Sequence, residues 1–214
     1  MTLFLTNGGI ILGAFAAFAV VHSLLAGAKP KERLKSILEA RFVEGWYRLA
    51  YNVFSVVSII PVLLLLVLLP DGLLYQLESP WSIILRGLQV LGLIGLVGAL
   101  FVTNVGQFAG LSQAIAYLNG DPLPLPVSPL QKVGMYRYVR HPLYFFSLLF
   151  VWANPTLSIN GLWFNISVTI YIVIGSLVEE RRLLRIYGDV YREYRAHVSW
   201  LIPWFPAPPM ETEK

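Results

Sequence analysis

The chain has 214 residues, of which 57% are hydrophobic and 13% charged, with a mean hydropathy of +0.66 and no cysteine. Soluble domains carry about 25% charged residues, so this composition excludes an ordinary soluble domain. The missing cysteine excludes disulfides, thiolate metal sites and a cysteine nucleophile. The net charge of +4 is not a nucleic-acid footprint, because the basic residues are grouped. Lys29, Lys31, Arg33, Lys35, Arg41 and Arg48 form one group; Lys132, Arg137 and Arg140 form a second; the third follows Val178. Grouping of this kind sets membrane orientation.

Leu3 to Gly27 carries no charged residue, and at about 1.5 Å per residue it is long enough for about 30 Å of hydrocarbon. With no basic segment before it and no soluble domain after it, it reads as a span rather than a cleaved signal. Leu49 to Leu69 is the second span, with Pro61 as an expected kink that neighbouring helices accommodate. The third runs from Ile83 to Phe108. Its Gly92, Gly95 and Gly98 recur every third residue and predict close helix packing, and Asn104 and Gln107 lie a turn apart deep within it. Pro142 to Pro155 is short, about 20 Å if helical, whereas Ile159 to Val178 is long enough to cross. The turn residues Asn154-Pro155-Thr156 and Asn160-Gly161 join these two segments into a helical hairpin.

Beyond Val178 the pattern becomes amphipathic, with Leu183, Tyr187, Val190, Tyr191, Tyr194 and Val198 near helical spacing and Gly188-Asp189 as an interruption. From Pro203 the chain is Pro-rich and polar. It is expected to be a flexible tail over 204–214 apart from an anchoring Trp204-Phe205. The fold expected is an all-α membrane protein of about five transmembrane helices, with a C-terminal helical hairpin and a cytoplasmic amphipathic helix. A three-helix membrane region spans 1–120, and the hairpin with its following helix spans 121–203. Five crossings put the three basic groups in the cytoplasm and the N-terminus outside.

Two segments combine ionisable and aromatic side chains: Gly134 to Tyr144, and Glu179-Glu180-Arg181-Arg182 with Tyr187 to Tyr194. As consecutive ends of one hairpin they arrive on the same side of the membrane. Headgroup anchoring is the plain reading of Arg140, His141 and the tyrosines. Glu179 and Glu180 resist it, because two carboxylates at the C-terminal end of a membrane helix oppose its dipole and border hydrocarbon. They require partners, such as Arg182 or a basic residue of the first segment. Adjacent helical residues diverge by about 100°, so at most one of the pair faces fully into the hairpin; Glu180 is the one expected to meet a ligand there, with Glu179 orienting it. His22 is expected to be a hydrogen-bonded interior histidine and His197 a surface one. Together with His141 they could instead ligate haem, a second class of function.

Arg140-His141-Pro142-Leu143-Tyr144, an apolar helix, Glu179-Glu180, then Gly188, Tyr191, Tyr194 and a terminal Ile202-Pro203 resemble the integral membrane methyltransferases. That superfamily includes isoprenylcysteine carboxyl methyltransferases and phospholipid methyltransferases. His22-Ser23-Leu24-Leu25-Ala26, Tyr47-Arg48-Leu49-Ala50-Tyr51-Asn52, Asn104, Gln107 to Gln113 and Asn154-Pro155-Thr156 extend the resemblance to bacterial methanethiol S-methyltransferase-like proteins. The resemblance implies an S-adenosylmethionine-dependent methyltransferase of a bacterial inner membrane, with a cytoplasmic pocket in the hairpin. It implies His141, Pro142, Tyr144, Tyr138, Glu180 and Tyr191 around the cofactor, with Arg140, Arg137 and Glu179 in catalytic roles. Asn104, Gln107 and His22 would line an acceptor cavity, unless Asn104 and Gln107 simply bond across helices, and no metal is implied.

The favoured acceptor is a small or lipophilic thiol, with a prenylcysteine carboxylate or a lipid headgroup as alternatives. Membrane lipids are the other expected partners; neither nucleic acid nor an obligate protein partner is expected. The physical chemistry agrees with this reading. A sulfonium cation suits carboxylates and aromatic faces, and in-line methyl displacement gains from alignment and exclusion of water. A thiol acceptor ionises more readily beside a cation such as Arg140 or Arg137.

Overall fold

Uncharged runs that cannot meet water fold into helices, whose backbone groups satisfy one another internally. The computed structural model describes residues 2–203 and follows this rule throughout. In chain order its elements are α1 (Thr2–Ala26), α2 (Ala28–Lys35), α3 (Ala40–Leu68), β1 (Leu73–Gln76), α4 (Trp81–Val102), α5 (Val105–Ala109) and α6 (Leu111–Asn119). A 3₁₀ turn (Gly134–Arg137) then leads to α7 (Pro142–Trp152), β2 (Thr156–Ser158), α8 (Ile159–Tyr187) and α9 (Asp189–His197). The tail and the Trp204-Phe205 anchor expected from the sequence lie outside the described residues.

Helices α1, α3, α4 and α8 are long and apolar enough to cross a membrane. Helix α7 has only 11 residues, about 16 Å at 1.5 Å per residue. Pro61 sits inside α3 without ending it. The third apolar run stops at Val102 rather than Phe108, because Asn104 takes an extended conformation and caps α5, its side chain accepting from the Gln107 N–H at 3.0 Å. An amide that satisfies a free helix-start donor breaks one helix and begins another. Asn104 and Gln107 both lie beyond the end of α4, so the expectation that they sit deep within one continuous apolar helix is corrected.

The chain divides into two units, each drawn from separated stretches. The first comprises Met1–Leu73, Asn104–Ser128 and Ser158–Ser167, and the second Leu74–Thr103, Pro129–Leu157 and Val168–Lys214. In the first unit α1 packs on α3, and α3 on α5 and α6. Polar side chains at the Asn7–Asn160 end are locally satisfied. Asn7 donates to Asn160 at 2.7 Å and to the Pro70 carbonyl at 2.6 Å, and the Asn160 amide reaches the Leu69 carbonyl at 3.3 Å. The Asn160 backbone N–H donates to Asp71 at 3.1 Å. Lys31 and Lys35 of α2 both pair with Glu44.

In the second unit α7 runs antiparallel along α4. Gln89 reaches the Phe150 carbonyl at 3.2 Å, and Gly92 lies against the backbone of Phe146 and Phe150. A methyl at Gly95 would enter the Phe146 ring. Two of the three expected packing glycines therefore serve that purpose, and Gly98 faces open space. The 3₁₀ turn also packs on α4, with Gly134 beside Val102. At the opposite end of α7, the Leu77 N–H donates to the Pro155 carbonyl at 2.9 Å, and Tyr75 to the Asn154 carbonyl at 3.0 Å. Helix α8 ends at Gly188, whose φ of 56° lies in the left-handed region that glycine adopts without strain. The chain restarts there as α9. Tyr191, Tyr194 and Val198 then form a buried cluster with Leu130, Leu183, Leu184 and Tyr187. Val190, expected on the same apolar face, is 50% exposed.

Candidate active site

The polar knot of the second unit begins with the start of α7. His141 precedes its first residue and Pro142 occupies the first turn, where a missing N–H costs nothing. The His141 side chain does not cap the helix, so its ring is available elsewhere. The chain just after α9 returns to this point. Val139 and Ser199 form a parallel bridge, and the Arg140 N–H donates to the Ser199 carbonyl at 2.8 Å.

Glu180, on α8, is 5% exposed and gathers the knot around its carboxylate. Its Oε1 accepts from Arg140 Nε at 2.8 Å, His141 Nε2 at 2.9 Å and the Tyr191 hydroxyl at 2.6 Å. Its Oε2 faces Arg140 Nη2 at 3.4 Å and Arg195 Nε at 3.3 Å. Arg140 also donates to the Arg195 carbonyl at 3.1 Å and to the Val198 carbonyl. One carboxylate and one guanidinium thus join α7, α8, α9 and the segment after it. A buried ion pair requires such additional hydrogen bonds to offset desolvation.

Glu179 points differently, as expected for neighbours about 100° apart on a helix. Its side chain is 42% exposed, with Oε2 3.6 Å from His141 Nδ1, and it hydrogen-bonds Tyr144. The His141 and Tyr144 rings stack with centroids 5.4 Å apart and planes inclined by 18°. Tyr136 completes the surroundings, its carbonyl accepting from the Tyr194 hydroxyl at 2.6 Å. Burial, and then the negative charge of Glu179, push the Tyr136 phenol up to about 12. Burial also raises Tyr191 and Tyr194, and the hydrogen bond to Glu180 adds to the shift at Tyr191. These hydroxyls remain protonated donors at neutral pH. Beside the knot lies an open cavity of about 390 Å³, lined by Arg140, Glu180, Arg181, Arg195 and Trp200 with Leu177 and Leu184.

The structure therefore brings together Arg140, His141, Pro142, Tyr144, Glu179, Glu180 and Tyr191. Arg137 and Tyr138 lie on the preceding turn, where Arg137 is exposed and has no partner among the described residues. His22, Asn104 and Gln107 belong to the first unit. There His22 pairs with the Tyr51 hydroxyl at 2.7 Å, Asn104 caps α5, and Gln107 accepts from Ser128. His197 is exposed and its ring meets the Glu193 carbonyl. Sequence reasoning missed Arg195 as a partner of Glu180. The signal was present, since Arg195 follows Tyr191 by four residues and shares its helix face. The return of Val198 and Ser199 to Arg140 had no such signal.

A family model described as phospholipid methyltransferase matches residues 88–190. The chain is 31% identical to methanethiol S-methyltransferase 1 of Bradyrhizobium diazoefficiens, over 88% of this chain and 64% of that protein. It is also 31% identical to methanethiol S-methyltransferase of Pseudomonas deceptionensis, over 87% of this chain and 69% of that protein. With phosphatidylethanolamine N-methyltransferase of Schizosaccharomyces pombe it shares 29% identity, over 60% of this chain and 14% of that protein. The chain thus spans about two thirds of the length of these two methanethiol S-methyltransferases. No solved structure matches it.

Proposed function

We propose that this chain, which belongs to the methanethiol S-methyltransferase family, is a membrane enzyme that methylates a small or lipophilic thiol with S-adenosylmethionine. The observation that carries the reading is the knot itself. A half-exposed carboxylate, Glu179, stands beside the stacked His141–Tyr144 pair, and a buried ion pair holds this group in place. Carboxylate and aromatic faces are the donor set that suits a sulfonium ligand. His141, Tyr144 and Glu179 would hold S-adenosylmethionine, with Glu180 setting their positions; the cofactor supplies an electrophilic methyl group when bound.

The protein's own residues supply orientation and charge. The Arg140–Glu180 pair fixes the start of α7, so that His141 and Tyr144 arrive in one arrangement before any ligand does. Arg140 is consumed in that task. Arg137, without a partner among the described residues, and Arg181, on the wall of the cavity, are cations available to favour a thiolate or to orient an acceptor carboxylate. The neighbouring tyrosines stay neutral at working pH and add no competing negative charge.

In the membrane we place five passes, with α7 as the short one, because α7 runs back along α4 from the 3₁₀ turn to β2. This puts the N-terminus outside and the basic segments and the knot in the cytoplasm of a bacterial inner membrane, as the grouping of basic residues supports. A lipid-headgroup acceptor is the second reading, favoured by the phospholipid methyltransferase match over residues 88–190.

Calorimetric titration of detergent-purified protein with S-adenosylmethionine and S-adenosylhomocysteine tests the cofactor. Saturable binding of both, followed by methyl transfer to methanethiol in preference to phosphatidylethanolamine, is the expected result. Folded protein that binds neither compound overturns the reading.

A further inference from the structure

We propose, resting on the methyltransferase reading, that the two adjacent glutamates do different work: Glu180 is a positioning residue that builds the site, and Glu179 is the carboxylate that meets the cationic sulfonium end of the cofactor. A carboxylate offers about four lone-pair positions on its two oxygens. Around Glu180 they are taken by Arg140 through two nitrogens, by His141, by Tyr191 and by Arg195. A cation approaching Glu180 would have to displace one of these donors and would meet two guanidinium groups. Releasing Arg140, whose side chain is 9% exposed, would leave a buried charge uncompensated, which is strongly unfavourable.

Glu179 has the opposite character. Its side chain is 42% exposed, the Tyr144 ring stands beside it, and the guanidinium whose charge acts on it, Arg182, forms no ion pair with it among the described residues. The two glutamates are linked through one ring. His141 turns Nε2 to Glu180 at 2.9 Å and Nδ1 toward Glu179 at 3.6 Å. Glu180 therefore fixes the imidazole plane, and that plane fixes where Glu179 and the stacked Tyr144 stand. Glu180 acts on the ligand through His141, whereas Glu179 acts by its own charge.

The charge on the ligand separates the two roles. S-adenosylmethionine carries a sulfonium, whereas S-adenosylhomocysteine has a neutral thioether in the same place and is otherwise alike. The ratio of their affinities therefore reads the carboxylate that faces sulfur. Full-length protein in detergent is titrated with both compounds, and its melting temperature is measured alongside. Glu179→Gln is expected to weaken S-adenosylmethionine about tenfold more than S-adenosylhomocysteine, the scale of one charge-assisted contact, with melting unchanged. Glu180→Gln is expected to lower the melting temperature and to weaken both compounds by the same factor.

Where Glu180→Gln fails to fold, Tyr191→Phe removes a single donor from Glu180. It should lower melting modestly while leaving the affinity ratio at the wild-type value. An unchanged ratio in Glu179→Gln overturns the proposal, and so does a collapsed ratio with unchanged melting in Glu180→Gln or Tyr191→Phe. Wild-type protein that binds neither compound overturns the methyltransferase reading instead, and this proposal with it.

Discussion

Asn160 and Glu180 are both buried polar side chains on α8, one in each unit, and they are satisfied in different ways. Asn160 is an uncharged amide that meets another amide, Asn7, and the carbonyl that ends α3 at Leu69. All its partners are neutral except Asp71, which accepts from its backbone N–H. Glu180 is a carboxylate held by two arginines, a histidine and a tyrosine. Both arrangements join distant segments, but in the charged one a half-exposed carboxylate and a stacked ring pair stand beside the buried charge, whereas Asp71 beside Asn160 is spent on backbone N–H groups. A neutral network holds chain ends together and goes no further. A charged one also sets the electrostatic surroundings of whatever binds beside it.

That contrast can be broken most severely at the arginine. Arg140→Met leaves Glu180 buried with fewer donors and is expected to cost about 3–5 kcal/mol, measured by thermal unfolding in detergent. Adding Glu180→Leu to the same protein should recover part of that loss, because an apolar pair carries no desolvation penalty. Failure of the second substitution to recover any stability would show that the knot holds by shape rather than by charge. Asn160→Ala should cost less, about 1–3 kcal/mol, the penalty for unpaired neutral groups, and should leave cofactor affinity unchanged.

The smallest effect is one of pH. Tyr136, pushed up to about 12, and Tyr191 and Tyr194, also raised, hold their protons longer when folded than the ordinary phenol value of about 10. Their contribution is complete below about pH 10 and is lost as pH rises through the folded values. The melting temperature should therefore begin to fall only above about pH 10, and Tyr136→Phe should make that fall shallower.

The sequence carried the long helices plainly, because uncharged runs of membrane length have few other outcomes. It also carried the demand that Glu180 find a basic partner, which Arg140 meets. The interruption at Gly188 was legible from residue type alone, since glycine preceding Asp189 marks a break. Other features depended on contacts between distant stretches. Asn104 reads as a polar residue inside an apolar run, and only its cap to Gln107 shows that the run has ended. The clamp of Ser199 and Val198 on Arg140 uses backbone carbonyls, which have no sequence signature. Val190 fits the apolar spacing yet is exposed, because the turn at Gly188 resets the helix phase before α9 begins.

Gly188 carries a further consequence. Apart from its chain neighbours, no atom stands within 4 Å of where its side chain would be, so the turn from α8 into α9 is set by the backbone of this residue and its hydrogen bonds to Leu184 and Arg192. Tyr191 is three residues farther on, roughly 5 Å along the helix, and a rotation of about 10° there displaces its hydroxyl by about 1 Å. A displacement of that size separates a hydrogen bond from a mere contact. The site therefore has a mechanical tolerance as well as a chemical composition. Any substitution at Gly188 would first be felt as misalignment, at the end of a lever whose pivot has open space beside it.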